Sequence, residues 1–156
     1  MRWIPFFLFF LLHSCHAQKG TVQNKTNHLL TPFEKNKTSS GEEKNMTATY
    51  WEAIDFYEKL AATHPQLQLT THGMTDAGFP LHLAVLSLDQ DFDPVSIRKK
   101  SKNILFINNA IHAGEPCGVD ASMMLLRNYL EDQSLQQFLE HTVIVVIPMY
   151  NLGGVL

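Results

Sequence analysis

Two short apolar runs with a helical stripe between them constrain the fold most. Residues 104–107 have the length of a strand and no polar alternation, which is typical of a strand covered on both faces, and residues 143–147 form the most hydrophobic strand of the chain. Between the two runs, apolar residues recur at three- and four-residue steps, as on one face of an amphipathic helix: Val119, Met123, Leu126 and Leu130. Strand, helix and strand in this order predict an α/β unit in which the two strands are parallel.

Residues 49–88 predict a helix followed by two antiparallel strands. Thr49 and Glu52 form a capping-box pattern ahead of apolar residues spaced three and four apart, and the helix should end before Pro65. Residues 67–71 alternate as a half-buried strand does, residues 73–80 carry turn signals, and residues 81–88 form the returning strand. The charged residues 89–102 predict a solvated connection, and residues 134–140 a shorter helix. The fold class is therefore α/β, a mixed β-sheet with helices on both faces.

The N-terminus predicts export. Arg2 precedes an apolar run that is too short to span a membrane, so residues 1–17 are interpreted as a signal peptide. Ordinary cleavage before Gln18 is favoured, and a lipoprotein route would place a lipid anchor at Cys15. Residues 18–46 are polar and predict a flexible linker, with Asn-x-Thr triplets at Asn24, Asn36 and Asn45. The remaining residues, 47–156, form one domain that stops after a central strand, and we interpret it as incomplete.

Charge and cysteine content argue against nucleic-acid binding and against an internal disulfide. The net charge is −3 with mixed signs throughout, so no basic patch indicates nucleic acid as a partner. If Cys15 is removed with the signal, Cys117 is the one remaining cysteine and no internal disulfide can form.

His112 and Glu115 are the candidate zinc ligands. Imidazole nitrogen and carboxylate oxygen both bind zinc well, and the pair follows an apolar strand, where α/β sheets commonly bind ligands. We expect Gly114 to allow the tight backbone that lets both side chains converge. A structural alternative is that His112 bonds a loop carbonyl and Glu115 caps a helix that begins at Pro116.

Other candidates are weaker. Cys117 could reach the metal but is more typical of a helix start, and Asp120 could orient a histidine or simply occupy the first turn of its helix. The remaining histidines of the domain lack ligand spacing and are expected at the surface: His64, His72, His82 and His141.

Residues 50–154 also resemble the amino-terminal part of the zinc carboxypeptidases of the carboxypeptidase A type. The landmarks occur in the family's order: the helix with Tyr50 and Trp51, the turn at residues 73–78, the IHAGE motif at 111–115 and the IPMYN motif at 147–151. Two positions depart from the family's pattern. Gly153 replaces a common aspartate, and Phe79 stands where arginine often follows the glycine of the turn.

The resemblance implies that His112 and Glu115 bind Zn²⁺ and that Glu115 is not the catalytic base. A second histidine, the substrate-binding groups and the base glutamate would lie beyond Leu156, so no catalytic residue is expected within this chain. The implied function is an exported metallopeptidase that hydrolyses peptide or protein substrates. Two alternatives remain open, a deacylase of the succinylglutamate desuccinylase and aspartoacylase kind, and a non-catalytic binding module.

Overall fold

A four-stranded mixed sheet lies at the centre of the computed structural model, which describes residues 28–39 and 46–156. The strands are β1 (Leu67–Met74), β2 (Pro80–Leu86), β3 (Asn103–Asn108) and β4 (Thr142–Ile147). The helices are α1 (Pro32–Ser39), α2 (Tyr50–Thr63), α3 (Pro94–Lys99), α4 (Cys117–Glu131), α5 (Gln133–Gln136) and α6 (Leu152–Val155), with a 3₁₀ turn at Gln137–Leu139. None of the helices in the described ranges is long and apolar enough to cross a membrane.

The sheet has the order β1-β2-β4-β3. β1 and β2 are antiparallel from Leu67 opposite Leu86, and β2 is antiparallel to β4. β3 and β4 are parallel from Asn103 opposite Thr142 to Asn108 opposite Ile147. The predicted mixed sheet is therefore confirmed, with the apolar strand β4 between two neighbours.

Helices cover both faces of the sheet, as predicted. On one face, α2 and α4 bury the main core against alternate strand residues such as Leu86, Ile144 and Val146. On the other face, Ile97 of α3 packs against Val85 and Val143. The capping box of Thr49 and Glu52 starts α2 as the sequence predicts.

The prediction that residues 104–107 are covered on both faces is wrong in this structure. β3 lies at the edge of the sheet, and its side chains are largely exposed at Ile104 (46%), Leu105 (48%) and Phe106 (55%). Only Ile107 packs against the main core. An apolar run is buried only where another element packs over it. β3 pairs with β4 along one edge, and no helix of the described residues covers most of its side chains.

The segment at residues 89–102, predicted as a solvated connection, contains the helix α3, which the charged residues around it did not indicate. Asp93 caps α3 by accepting hydrogen bonds from Val95 N and Ser96 N, and Ile97 on its inner side is buried. Six residues are too few for helical periodicity to be recognised in the sequence.

The predicted flexible linker, residues 18–46, also contains ordered structure. Thr31 and Glu34 form a capping pair at the start of α1, and Glu34 accepts hydrogen bonds from Arg127 of α4 at 2.6 and 2.9 Å. Asn36 donates a hydrogen bond to Pro32 O within α1. The proposed signal peptide, Cys15, Asn24 and Asn45 lie outside the described residues.

Candidate metal centre

The segments that follow β3 and β4 stay paired beyond the ends of the strands. Asn109 N donates to Ile147 O at 3.2 Å, Tyr150 N to Asn109 O at 3.0 Å, and Asn151 N to the carbonyl of Ala110 at 3.2 Å. The backbone that leads from β3 to the IHAGE motif is therefore held against the backbone that follows β4. This pairing fixes where the turn containing His112 begins.

His112 and Glu115 lie in one tight turn between β3 and α4, residues 112–115, named the metal turn because it contains the two candidate ligands. The turn is closed by a hydrogen bond from Glu115 N to His112 O at 3.0 Å. Both side chains are exposed, and neither has a hydrogen bond or an ion pair with the described part of the chain. α4 begins at Cys117 with Pro116 as its N-cap, and no side chain caps it. The structural alternative for the pair, a carbonyl bond and a helix cap, is therefore not what the structure shows.

The turn packs closely against α6 where Ala113 meets Gly154. A Cβ atom at Gly154 would lie 2.8 Å from the Cβ of Ala113, closer than two carbon atoms can pack. Asn151 donates from Nδ2 to Ile111 O at 3.4 Å and accepts at Oδ1 from Gly154 N at 3.2 Å. Glycine at position 154 therefore allows α6 to lie directly against the turn that carries the candidate ligands.

Asn109 connects the start of the turn to α4. Its buried side chain donates from Nδ2 to Ser122 Oγ at 2.5 Å, and its Oδ1 would lie 2.7 Å from a Cβ added at Gly118. Gly118 is thus the residue that lets α4 approach Asn109. Neither residue was identified from the sequence, because both contacts join positions that are separated along the chain.

The expected role of Gly114 is not what the structure shows. Gly114 has no positive φ, and a Cβ there would meet no atom within 4 Å. The left-handed residue at this site is Ala110, with φ of 50°, a conformation that costs an L-residue roughly 1 kcal/mol. The tight backbone is therefore at the entrance to the turn, where the Asn151 hydrogen bond holds it in place.

The donor set fits zinc in kind but supplies only part of a site. A catalytic zinc commonly has three protein ligands, and the described residues contain no cluster of three or more histidine, cysteine, aspartate or glutamate side chains. Cys117 is exposed and does not complete such a cluster. His112 and Glu115 alone could therefore provide two ligands.

Asp120 does not orient a histidine among the described residues. It lies in the first turn of α4 but is buried, and its carboxylate accepts hydrogen bonds from Phe33 N (3.2 Å), Thr47 Oγ1 (2.6 Å) and Ala48 N (2.7 Å). Asp120 therefore anchors the N-terminal segment to the helix that follows the metal turn.

The four other histidines of residues 47–156 lie at the surface or its rim, as predicted. His72 and His141 are exposed, while His64 and His82 are half-buried. His82 Nδ1 lies 3.3 Å from Tyr50 Oη, and burial lowers the pKa of His82. None of the four joins His112 and Glu115 in a cluster of three.

A cavity of about 340 Å³ lies beside the metal turn, between the β1–β2 turn and the segments after β3 and β4. It is lined by Ile111, which directly precedes His112, and by side chains of both neighbouring segments: Met74, Thr75, Asp76, Leu81, Tyr150 and Asn151. The cavity and the candidate metal ligands therefore share one edge of the sheet.

The zinc carboxypeptidase family model matches residues 53–155, which is more than half of the chain. The chain belongs to the zinc carboxypeptidase family. The match includes the metal turn and the segment after β4, so the resemblance drawn from the sequence motifs is confirmed. No curated protein shows significant sequence similarity to the chain.

Solved metallocarboxypeptidases share the fold. Carboxypeptidase A from Helicoverpa armigera has a TM-score of 0.61 at 15% identity over 79% of this chain and 30% of its own. A metallo-carboxypeptidase from Burkholderia cenocepacia has a TM-score of 0.55 at 18% identity over 69% of this chain and 28% of its own. A metallo-carboxypeptidase from Pseudomonas aeruginosa has a TM-score of 0.52 at 16% identity over 73% of this chain and 31% of its own. The chain thus spans less than a third of the length of these structures.

Proposed function

We propose that the chain is part of a zinc-dependent metallopeptidase, a metallocarboxypeptidase, in which His112 and Glu115 are two of the zinc ligands. The observation that carries this proposal is the family match across residues 53–155, together with two ligand side chains that have no partner among the described residues and lie in one anchored turn beside a cavity. A bound zinc ion supplies Lewis-acid polarisation of the scissile carbonyl and lowers the pKa of its water.

The chain's own contribution is to hold the backbone of the two ligand residues in place before the metal binds. His112 offers an imidazole nitrogen and Glu115 a carboxylate, and the hydrogen bond between their backbones fixes their separation along the turn. The packing of Gly154 on Ala113 limits how far that turn can move. Ligands that are already positioned lose less conformational entropy on binding, which raises affinity for the metal.

We propose that hydrolysis requires a third zinc ligand and a base glutamate in addition to this pair, since no group of three ligand side chains occurs among the described residues. The substrate is a peptide or protein, and the family match favours this over the acylated amino acids of the deacylase alternative. Export through a signal at residues 1–17 fits such a substrate and remains a prediction.

Two measurements test this function. The chain should bind zinc with a dissociation constant above about 1 μM, because two ligands hold the ion less well than three. It should not hydrolyse a peptide with a free C-terminus. Tighter binding or zinc-dependent hydrolysis by the chain would show that the site is complete within it. Coding sequence beyond position 156 without a further histidine and glutamate would contradict the peptidase function.

A further inference from the structure

The cavity beside the metal turn is lined by one charged side chain, Asp76, which has no partner among the described residues. Thr75 Oγ1 donates to Phe79 O at 3.0 Å, and both ends of the Asn151 side chain are engaged with Ile111 and Gly154. The carboxylate of Asp76, by contrast, is exposed and has no hydrogen bond or ion pair with the described residues. An exposed carboxylate on a concave surface is available to a ligand.

Gly153 makes room for this carboxylate. A Cβ at position 153 would lie 3.3 Å from Asp76 Oδ2, which is tighter than an ordinary contact. Any larger side chain at that position would push Asp76 away from the segment that follows β4. The glycine therefore allows the carboxylate to lie at the wall of the cavity, close to the backbone of α6.

Three of the other side chains that line the cavity are apolar or aromatic and strongly exposed. Met74 is 64% exposed, Ile111 50% and Tyr150 46%, and all three line the cavity with Leu81. Apolar side chains that surround a single anion suit a ligand with an apolar stem and a cationic head. The face of a tyrosine ring attracts such a head as well.

We propose that this cavity, with Asp76 as its anchor, binds the basic side chain of a peptide. Arginine fits this chemistry best, because its guanidinium can donate two parallel hydrogen bonds to one carboxylate while its methylene stem packs on Met74 and Ile111. A volume of about 340 Å³ accommodates one side chain rather than a whole peptide. Naming a peptide as the source of the cation rests on the proposed metallopeptidase function, whereas recognition of the cation does not.

The test uses two small probes and no metal. The ¹⁵N-labelled protein, in EDTA, is titrated with N-acetylarginine amide and with N-acetylcitrulline amide, which has nearly the same shape but no charge. We expect the arginine probe to shift the amide signals of residues 74–76, Ile111 and Asn151, with a dissociation constant of about 1 mM. The citrulline probe should bind about tenfold more weakly, since it has no positive charge to pair with the carboxylate.

Two variants complete the experiment. Asp76→Asn should weaken the arginine probe about tenfold and leave the citrulline probe unchanged. Asp55→Asn is the matched control, because Asp55 is an exposed aspartate on α2 that pairs with Lys59 and does not line the cavity; it should change neither probe.

Equal affinity for the two probes, or shifts confined to another surface, would overturn the proposal. The comparison of probes on the unaltered protein gives this answer even if Asp76→Asn does not fold. Because EDTA is present throughout, loss of arginine binding concerns the cavity alone. Failure of zinc to bind in a separate titration would instead count against the metal site.

Discussion

Replacing Glu34 with glutamine tests whether α1 belongs to the folded domain. Arg127 of α4 is 3% exposed, and its guanidinium donates to both carboxylate oxygens of Glu34 and to Leu29 O. Glutamine has nearly the same shape and can still accept the hydrogen bond from Thr31 N that completes the capping pair. The substitution therefore removes the negative charge opposite Arg127 while it keeps the cap of α1.

The expected loss follows from the burial of the two partners. Removing one partner of a fully buried ion pair costs about 3 to 5 kcal/mol, because the other charge is left uncompensated. Glu34 is 23% exposed, and Leu29 O and the glutamine oxygen still accept from Arg127, so we expect a loss of about 2 kcal/mol. For a chain of this size the loss corresponds to a decrease in Tm of roughly 8 °C.

Urea unfolding followed by far-ultraviolet circular dichroism measures this loss. The midpoint should fall while the slope m is unchanged, which indicates lower stability in the same folded state. Asp55→Asn is the control, since its ion pair with Lys59 is exposed and should contribute about 0.5 kcal/mol or less. If Glu34→Gln were no more destabilising than Asp55→Asn, α1 would not be a stabilising part of the domain.

Further predictions concern pH and the metal turn. Burial opposes ionisation of Glu34, but the hydrogen bonds from Arg127 and Thr31 outweigh it and hold the pKa of Glu34 below its ordinary value of 4.5. Its contribution is therefore complete above about pH 4.5 and lost as pH falls through the lowered pKa, so the stability gap to Glu34→Gln should close in acid-unfolding series. At the metal turn, Gly154→Ala should weaken zinc binding about tenfold in a chelator competition by displacing the turn, whereas Gly114→Ala, with open space around it, should not. Equal zinc affinities for these two variants would show that the contact does not position the turn.

Periodicity in the sequence was enough to predict most of the sheet. The apolar stripe of α4 and the runs of β3 and β4 specify a parallel pair, and the alternation in β1 and β2 specifies the antiparallel one. These patterns are local, so a single sequence contains them. Burial of β3 could not be predicted in the same way, because it depends on which element packs against the strand.

α1 shows where local evidence was present but outweighed. Thr31 and Glu34 have the same spacing as Thr49 and Glu52, yet the polar residues around them predicted a linker. One contact that holds α1 is with Arg127, 93 positions along the chain from Glu34. A stabilising partner at that separation leaves no pattern in the segment itself.

The candidate site, too, was predicted from the sequence only in part. His112 and Glu115 were found from ligand chemistry, spacing and their place after a strand. The residues that position them were not found, since the contacts of Asn151 with Ile111 and of Gly154 with Ala113 arise only when the ends of β3 and β4 meet.

A zinc competition titration of ligand variants tests the central claim most directly. His112→Ala and Glu115→Gln are compared with the unaltered protein and with His141→Ala, a control at an exposed histidine that precedes β4. We predict that the unaltered protein and His141→Ala bind one zinc ion with equal affinity, and that each ligand variant lowers this affinity by at least about tenfold. Zinc binding that is unchanged in both His112→Ala and Glu115→Gln would contradict the claim that this pair binds the metal.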